Sequence, residues 1–214
     1  MAIRVFLANS RVILLDSLQV LLEIQQDIKV IGKATNGHEA VKRIQKLKPD
    51  VAILDAGLVG LNGIEASLKI GGPSRSTAIV ILATTASPEF IFRALRAGAR
   101  GYLSREASGL ELVNAVRTVR EGKRYLSPRI TASLIGDYIS ERRSPSPFES
   151  LTSRERNILQ LVVEGNSSAQ VADILALSPK TVDTYRSRIK QKLGIHDLPA
   201  LVKFAIQHGI TSLE

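Results

Sequence analysis

The chain has no cysteine among its 214 residues, which excludes a disulfide framework, a thiolate metal site and a cysteine nucleophile. It therefore needs no oxidising compartment. Long apolar runs are missing too: the opening MAIRVFLANSR turns polar at Asn9, well short of a secretory signal or a membrane span. A cytoplasmic chain with no membrane partner is the expectation. His38, His196 and His208 are scattered without neighbours at metal-ligand spacing, so no metal site is expected. No G-x-S-x-G, Walker loop or other enzymatic motif occurs, and the chain reads as a non-enzyme without a cofactor.

The composition, 44% hydrophobic and 23% charged, is enough for two small domains that each bury a core. A formal net charge of +9 suggests a polyanionic partner. Its source is uneven: residues 1–126 hold 18 Lys and Arg against 11 Asp and Glu, whereas residues 149–214 hold 8 against 7. Any nucleic-acid contact by the C-terminal part must therefore rest on a local cluster, Arg186, Arg188, Lys190 and Lys192. The basic N-terminal part is read first as solvated surface, with a DNA contact or an acidic protein partner as the alternatives.

Residues 151–209 spell out a run of short helices. Thr152 with Glu155, and Ser167 with Gln170, are S/T-x-x-E/Q capping boxes opening apolar-periodic stretches, and Gly165 closes the first. Ser178 and Pro179 place an N-cap before a proline at the first helical position, and Asp197 with Pro199 resembles that arrangement. Only Ala176 and Leu177 separate the second helix from the cap of the third, as a helix-turn-helix requires. On the third helix, residues 179–193, Val182, Ile189 and Leu193 form an apolar stripe flanked by Tyr185 and Arg186. The opposite face carries Lys180, Thr184, Ser187, Arg188 and Gln191, with Thr181, Asp183, Lys190 and Lys192 completing the candidate DNA-binding set. Lysine and arginine neutralise phosphates, while Thr, Ser, Gln and a bidentate Arg read base edges. Taken alone, such a face is equally a solvated one.

The segment LTSRERNILQLVVEGNSSAQVADILALSPKTVDTYRSRIKQKLGI decides between them, because it resembles the DNA-binding domain of LuxR/NarL-type response regulators. The matching positions include Leu151, Thr152, Arg154, Glu155, Gly165, Val171, Ala172, Ser178, Lys180, Thr181, Val182, Lys192 and Gly194. Gln170 departs from the family's usual Glu but keeps the cap. The resemblance implies double-stranded DNA as partner. It also implies a homodimer through the last helix, 198–208, with Leu201, Val202, Ala205 and Ile206 as candidates, part of that stripe being core.

From Ile3 onward, short β-rich runs alternate with helical ones, which argues for a doubly wound parallel sheet. Five strands are read, near residues 3–8, 28–34, 51–54, 78–82 and 101–103, with helices near 12–25, 38–47, 64–70, 88–97 and 109–121. Gly71, Gly72 and Pro73 stop the third helix. The fold class is thus α/β, a five-stranded sheet followed by an all-α four-helix helix-turn-helix domain. The boundaries are residues 1–126, a partly helical linker at 127–148 that includes RRSPSPFES and a helix over 129–141, and 149–214.

In such a sheet the working site lies beyond the carboxyl ends of the strands. There stand Asn9, Ser10, Asp55, Ala83, Thr84 and Arg105. With LNGIEA at 61–66 and LRAGARGYL at 95–103, the order resembles the receiver domain of response regulators over Ile3 to Tyr125. That family carries two acidic residues after the first strand which, with the phosphoacceptor aspartate, hold magnesium, and a Thr or Ser and a Lys complete the site. Here the corresponding positions read Asn9, Ser10, Asp55, Ala83 and Arg105, so only the phosphoacceptor position is intact. A one-residue shift would bring Thr84 into the hydroxyl role. Tyr102 occupies the family's switching aromatic position, although an aromatic in a strand is first of all core.

Magnesium is held largely by carboxylate charge, so an amide and a hydroxyl in place of two carboxylates weaken its binding. Arginine is no substitute for lysine either, since its planar fork grips a carboxylate bidentately. The expectation is an Arg105 pairing with unphosphorylated Asp55 in a degenerate receiver attached to a sequence-specific DNA-binding regulator, with the receiver-like domain also read as a place for a further protein partner. The alternatives are a conventional regulator switched by phosphorylation of Asp55, and an interaction adaptor whose DNA contact is incidental.

Overall fold

A computed structural model describes residues 2–70, 77–84, 87–139 and 147–211, the side chains of 136–139 and 149 excepted. The expected stop at Gly71, Gly72 and Pro73, and residues 140–146 of the linker, lie outside the described residues. The chain divides into two compact units, Met1–Arg142 and Arg143–Glu214.

The N-terminal unit is built on a parallel sheet of six strands, β1 (Ile3–Ala8), β2 (Ile28–Ala34), β3 (Val51–Asp55), β4 (Ala78–Ala83), β5 (Gly101–Ser104) and β6 (Tyr125–Leu126), in the order β2-β1-β3-β4-β5-β6. Side chains alternate across a strand, so in β1 Val5 and Leu7 enter one core and Phe6 and Ala8 the other. Helices α1 (Val12–Glu23) and α5 (Gly109–Arg120) cover the Val5 face. Helices α2 (Gly37–Leu47), α3 (Gly63–Ile70) and α4 (Pro88–Arg96) cover the Phe6 face. Burial on both faces is why β3, β4 and β5 read as nearly continuous apolar runs.

The five-strand expectation is corrected to six. β6 has only two residues, too few to show a period, and it is revealed by pairing: the Tyr125 N–H donates to the Arg100 carbonyl at 2.9 Å and the Ser127 N–H to that of Tyr102 at 3.3 Å. Helix α6 (Pro128–Ile139) follows, and its Ile130 is fully buried in the same core as Phe6 and Tyr102. The N-terminal unit thus extends past residue 126, because one apolar side of the linker helix is needed to close that core.

The described residues of the C-terminal unit form a 3₁₀ turn (Pro147–Ser150) and four α-helices, α7 (Ser153–Val163), α8 (Ser168–Leu175), α9 (Pro179–Leu193) and α10 (Leu198–Gln207). Both expected capping boxes are formed, Thr152 with Glu155 and Ser167 with Gln170. Ser178 accepts from the Thr181 N–H at 3.1 Å, and Asp197 from the Ala200 N–H at 2.8 Å. Phe148, Leu159, Val171, Val182, Ile189 and Leu201 form its core. The α8–α9 turn is tight because Ala176 adopts the left-handed conformation at φ 52°, a strain on a residue with a Cβ. Among the described residues no helix is long and apolar enough to cross a membrane.

Candidate regulatory site and DNA interface

The order of strands reverses between β1 and β3, and their carboxyl ends open the crevice where such sheets place their sites. Asp55 ends β3 and is 1% exposed. Its position is packed from behind by α3, since a Cβ on Gly63 would lie 2.3 Å from the Asp55 carbonyl oxygen. Only glycine allows that approach.

Four donors converge on the Asp55 carboxylate. Arg105 grips it through both edges of the fork, Nε to Oδ2 at 2.9 Å and Nη2 to Oδ1 at 2.5 Å. Asn9, itself 3% exposed, donates Nδ2 to Oδ2 at 2.8 Å, and the Gly57 N–H donates to Oδ1 at 2.7 Å. The remaining polar atom of Asn9, Oδ1, accepts from the Arg11 N–H at 2.8 Å. Charge-assisted bidentate bonds of this kind are the strong ones. Arg105 is held in turn at its backbone, whose N–H donates to the Ala83 carbonyl at 2.9 Å.

The other expected residues surround this pair. Ser10 accepts from the Val59 N–H at 3.1 Å, tying the end of β1 to the loop after β3. Ala83 is the last residue of β4, paired with Ser104 of β5, so a methyl group stands at the strand end. Thr84 lies beyond the strand and is exposed. Tyr102 is fully buried among the α4 and α6 side of the core, and burial pushes its phenol upward against the opposing charge of Arg93.

The residues present do not form a magnesium site in this arrangement. Asp55 contributes the one carboxylate, and its oxygens already accept from Arg105, Asn9 and Gly57. Among the described residues no group of three or more His, Asp or Glu is placed to hold a metal ion. Asn9 suits the pair, since its amide donates to Asp55, whereas an aspartate there would set two carboxylates at hydrogen-bond distance with the single charge of Arg105 between them.

In the C-terminal unit, α9 turns Val182 and Ile189 into the core, with Tyr185 and Leu193 packed alongside. Lys180, Thr184, Ser187, Arg188 and Gln191 are exposed on its opposite face. Three of the sequence-derived candidates are engaged inside the unit instead. Lys192 Nζ reaches back to Glu155 Oε2 at 2.7 Å and to the Ser150 carbonyl at 3.1 Å. Asp183 accepts from the Ser168 hydroxyl at 2.6 Å, and that hydroxyl accepts from Arg186 at 2.8 Å, joining α8 to α9. Thr181 shares a 2.8 Å bond with Ser178 at the helix cap. Thr184 donates to the Lys180 carbonyl at 2.9 Å and keeps its lone pairs for a partner. Lys190 is half-buried.

Sequence reasoning missed Ser168 and the second task of Glu155, which caps α7 and also binds Lys192. Burial pushes the Glu155 carboxyl up, but bonds from Lys192 and from the Thr152 N–H and hydroxyl outweigh it, and the net displacement is below 4.5. On α10, Leu201 and Ala205 are the core part of the expected stripe, and Leu198, Val202 and Ile206 are the apolar side chains among those that line its outer groove. The helix is apolar over more than half its circumference, so spacing could not say which side faces inward.

Comparison with known proteins gives this geometry a family. Residues 5–117 match the response regulator receiver domain, and residues 149–205 match the bacterial regulatory proteins of the luxR family. The chain belongs to the DNA-binding, LuxR-type response regulators. It is 34% identical over 212 residues to the response regulator UvrY of Escherichia coli strain K12, spanning 99% of this chain and 97% of that protein. It is similar to the crystal structure of the response regulator ChrA of a heme-sensing two-component system, with 30% identity, a TM-score of 0.54 and 98% of each chain covered. A structure of an RcsB–DNA complex shares the fold, with a TM-score of 0.60 at 23% identity over 95% of this chain and 98% of that one.

Proposed function

We propose that the chain is a sequence-specific transcription regulator that binds double-stranded DNA as a homodimer through α9. We further propose that its N-terminal unit is held by the Asp55–Arg105 pair rather than governed by magnesium-dependent aspartyl phosphorylation. The observation carrying the second part is the saturation of the Asp55 carboxylate by four donors, two of them from one guanidinium. Phosphoryl transfer relies almost entirely on positioning and charge neutralisation. Here the neutralising charge is supplied by an arginine that competes for the same oxygens. At the DNA, Lys180 and Arg188 serve phosphate contact, and Thr184, Ser187 and Gln191 serve base readout. Leu198, Val202 and Ile206 would pair two C-terminal units about a two-fold axis.

A second reading, conventional phosphorylation of Asp55, is favoured by the location of Asp55 at the end of β3 and by the full-length similarity to UvrY, a response regulator by name. Acetyl phosphate or beryllofluoride with magnesium separates the two. Intact-mass spectrometry is expected to show no appreciable modification of Asp55, and stoichiometric, magnesium-dependent phosphorylation there would replace the first reading by the second. Footprinting on genomic fragments tests the DNA assignment, with a protected sequence expected above non-specific background.

A further inference from the structure

Next to the Asp55–Arg105 pair, between α1 and α5, lies a cavity of about 210 Å³. Its walls are Leu14, Leu18 and Leu21 of α1, Leu82 and Leu103 at the strand ends, and Leu112 of α5. Leu14, Leu18 and Leu21 are only half-buried, so the space communicates with solvent. A leucine-lined opening left unfilled forgoes the dispersion contacts that close packing normally supplies. At its floor are Asn9, Asp55 and Arg105.

The polar floor is one-sided. Asp55 accepts four bonds, and Asn9 spends its amide on Asp55 and its carbonyl oxygen on the Arg11 N–H. Arg105 uses two of the five guanidinium N–H donors on Asp55. Among the described residues the other three have no partner. The Ser108 hydroxyl, also at the wall, is turned to Glu111 at 3.0 Å. The floor therefore offers charged donors to an occupant, while its carboxylate is already taken and the Asn9 Oδ1 and Ser104 Oγ acceptors are each engaged once, by the Arg11 and Glu106 N–H groups.

We propose that this cavity binds a small apolar molecule carrying one hydrogen-bond acceptor head, a carboxylate or a carbonyl. The apolar body lies among the leucines and the head meets the unused edge of Arg105. The size is appropriate, because an apolar cavity of roughly 150 Å³ already accommodates a benzene ring. A mostly apolar pocket with a few convergent polar groups is the general form of a small-ligand site. Binding there would load Arg105 from a second side and so act on the pair that holds Asp55. The site stands on the cavity and the unused donors, whether or not Asp55 accepts phosphate.

Titration of the full-length protein with phenylacetate, phenylacetamide and toluene, followed by leucine methyl chemical shifts, tests it. Saturable shifts at Leu18, Leu103 and Leu112 with phenylacetate are expected, and their loss in Ala107→Phe, which fills the cavity from the β5–α5 loop. Leu18→Trp fills it from the α1 wall and serves if the first variant does not fold, far-UV circular dichroism deciding that. If phenylacetamide binds as well as phenylacetate the head is a carbonyl, and if it fails while phenylacetate binds the head is a carboxylate. Either result supports the site. Toluene binding as tightly as both would overturn the role of Arg105. Absence of saturable shifts with all three probes, or shifts that persist in the folded filling variants, would overturn the site itself.

Discussion

Replacing Arg105 by alanine should destabilise the N-terminal unit by about 3 kcal/mol, and the magnitude follows from what Asp55 would be left with. Removing one member of a buried ion pair costs roughly 3–5 kcal/mol, because the other charge stays desolvated. The Asp55 side chain is 2% exposed, which favours the full cost, but Arg105 is 23% exposed, so water can enter where the guanidinium stood. Two of the four donors, from Asn9 and Gly57, also remain. The low end of the range is therefore expected. Asp55→Asn should cost less, about 1–2 kcal/mol, since the stranded arginine can turn to solvent. In the double variant Asp55→Asn, Arg105→Ala neither charge is stranded, so the double change should cost less than the sum by about 1–3 kcal/mol. Urea dependence of hydrogen exchange at β3 and β5 amides reads the N-terminal unit alone. Additive single effects, with a coupling below about 0.5 kcal/mol, would refute the claim that the pair acts as a unit.

Lys192→Ala should destabilise the C-terminal unit by about 1–2 kcal/mol, discounted for its partly exposed side chain, while leaving the salt dependence of DNA binding unchanged. Lys180→Ala and Arg188→Ala should do the reverse, each lowering the slope of log K against log salt by about 0.9, which binding titrations over a salt series measure. Thr184→Ala or Ser187→Ala should shift sequence preference in a selection experiment; wild-type behaviour in all four surface variants would mean that another face meets DNA. Because the folded Glu155 carboxyl is held below 4.5, its contribution is fully present above that value and is lost as pH falls through the lower folded one. Urea midpoints of the C-terminal unit should therefore decline more in wild type than in Glu155→Gln across that acid range. Ala176→Gly should raise stability by about 0.5–1 kcal/mol by relieving the left-handed backbone, as thermal unfolding would register.

Much of the C-terminal unit is legible from the chain because its helix starts are local events. Thr152, Ser167, Ser178 and Asp197 each cap with a backbone N–H three residues on, and no distant residue is needed to make that bond. The strand positions of the N-terminal unit are legible for a similar reason, as β3, β4, β5 and most of β1 are buried on both faces and read as short apolar runs punctuated by polar turns. β6 was not, since two residues carry no period, and its existence depends on the edge that β5 presents. The assignment of Leu201 and Ala205 to the core likewise depended on what α7 placed opposite them.

At the two candidate surfaces the division is sharper. The sequence alone determined which groups are available: a lone carboxylate at Asp55, an amide at Asn9, a guanidinium at Arg105, and a polar face on α9, all covalent facts set by spacing along the chain. Tertiary structure decided which of those groups are spent. It closed Arg105 and Asn9 onto Asp55 across roughly fifty residues of chain, as the hydrogen bonds spanning 46 and 50 positions record. It also gave Lys192 and Asp183 partners within the unit, Glu155 and Ser168. Hydrogen-bond and charge partners are matters of a few ångströms in space, and in a doubly wound sheet or a helical bundle those few ångströms are fixed by packing, which spacing along the chain does not encode.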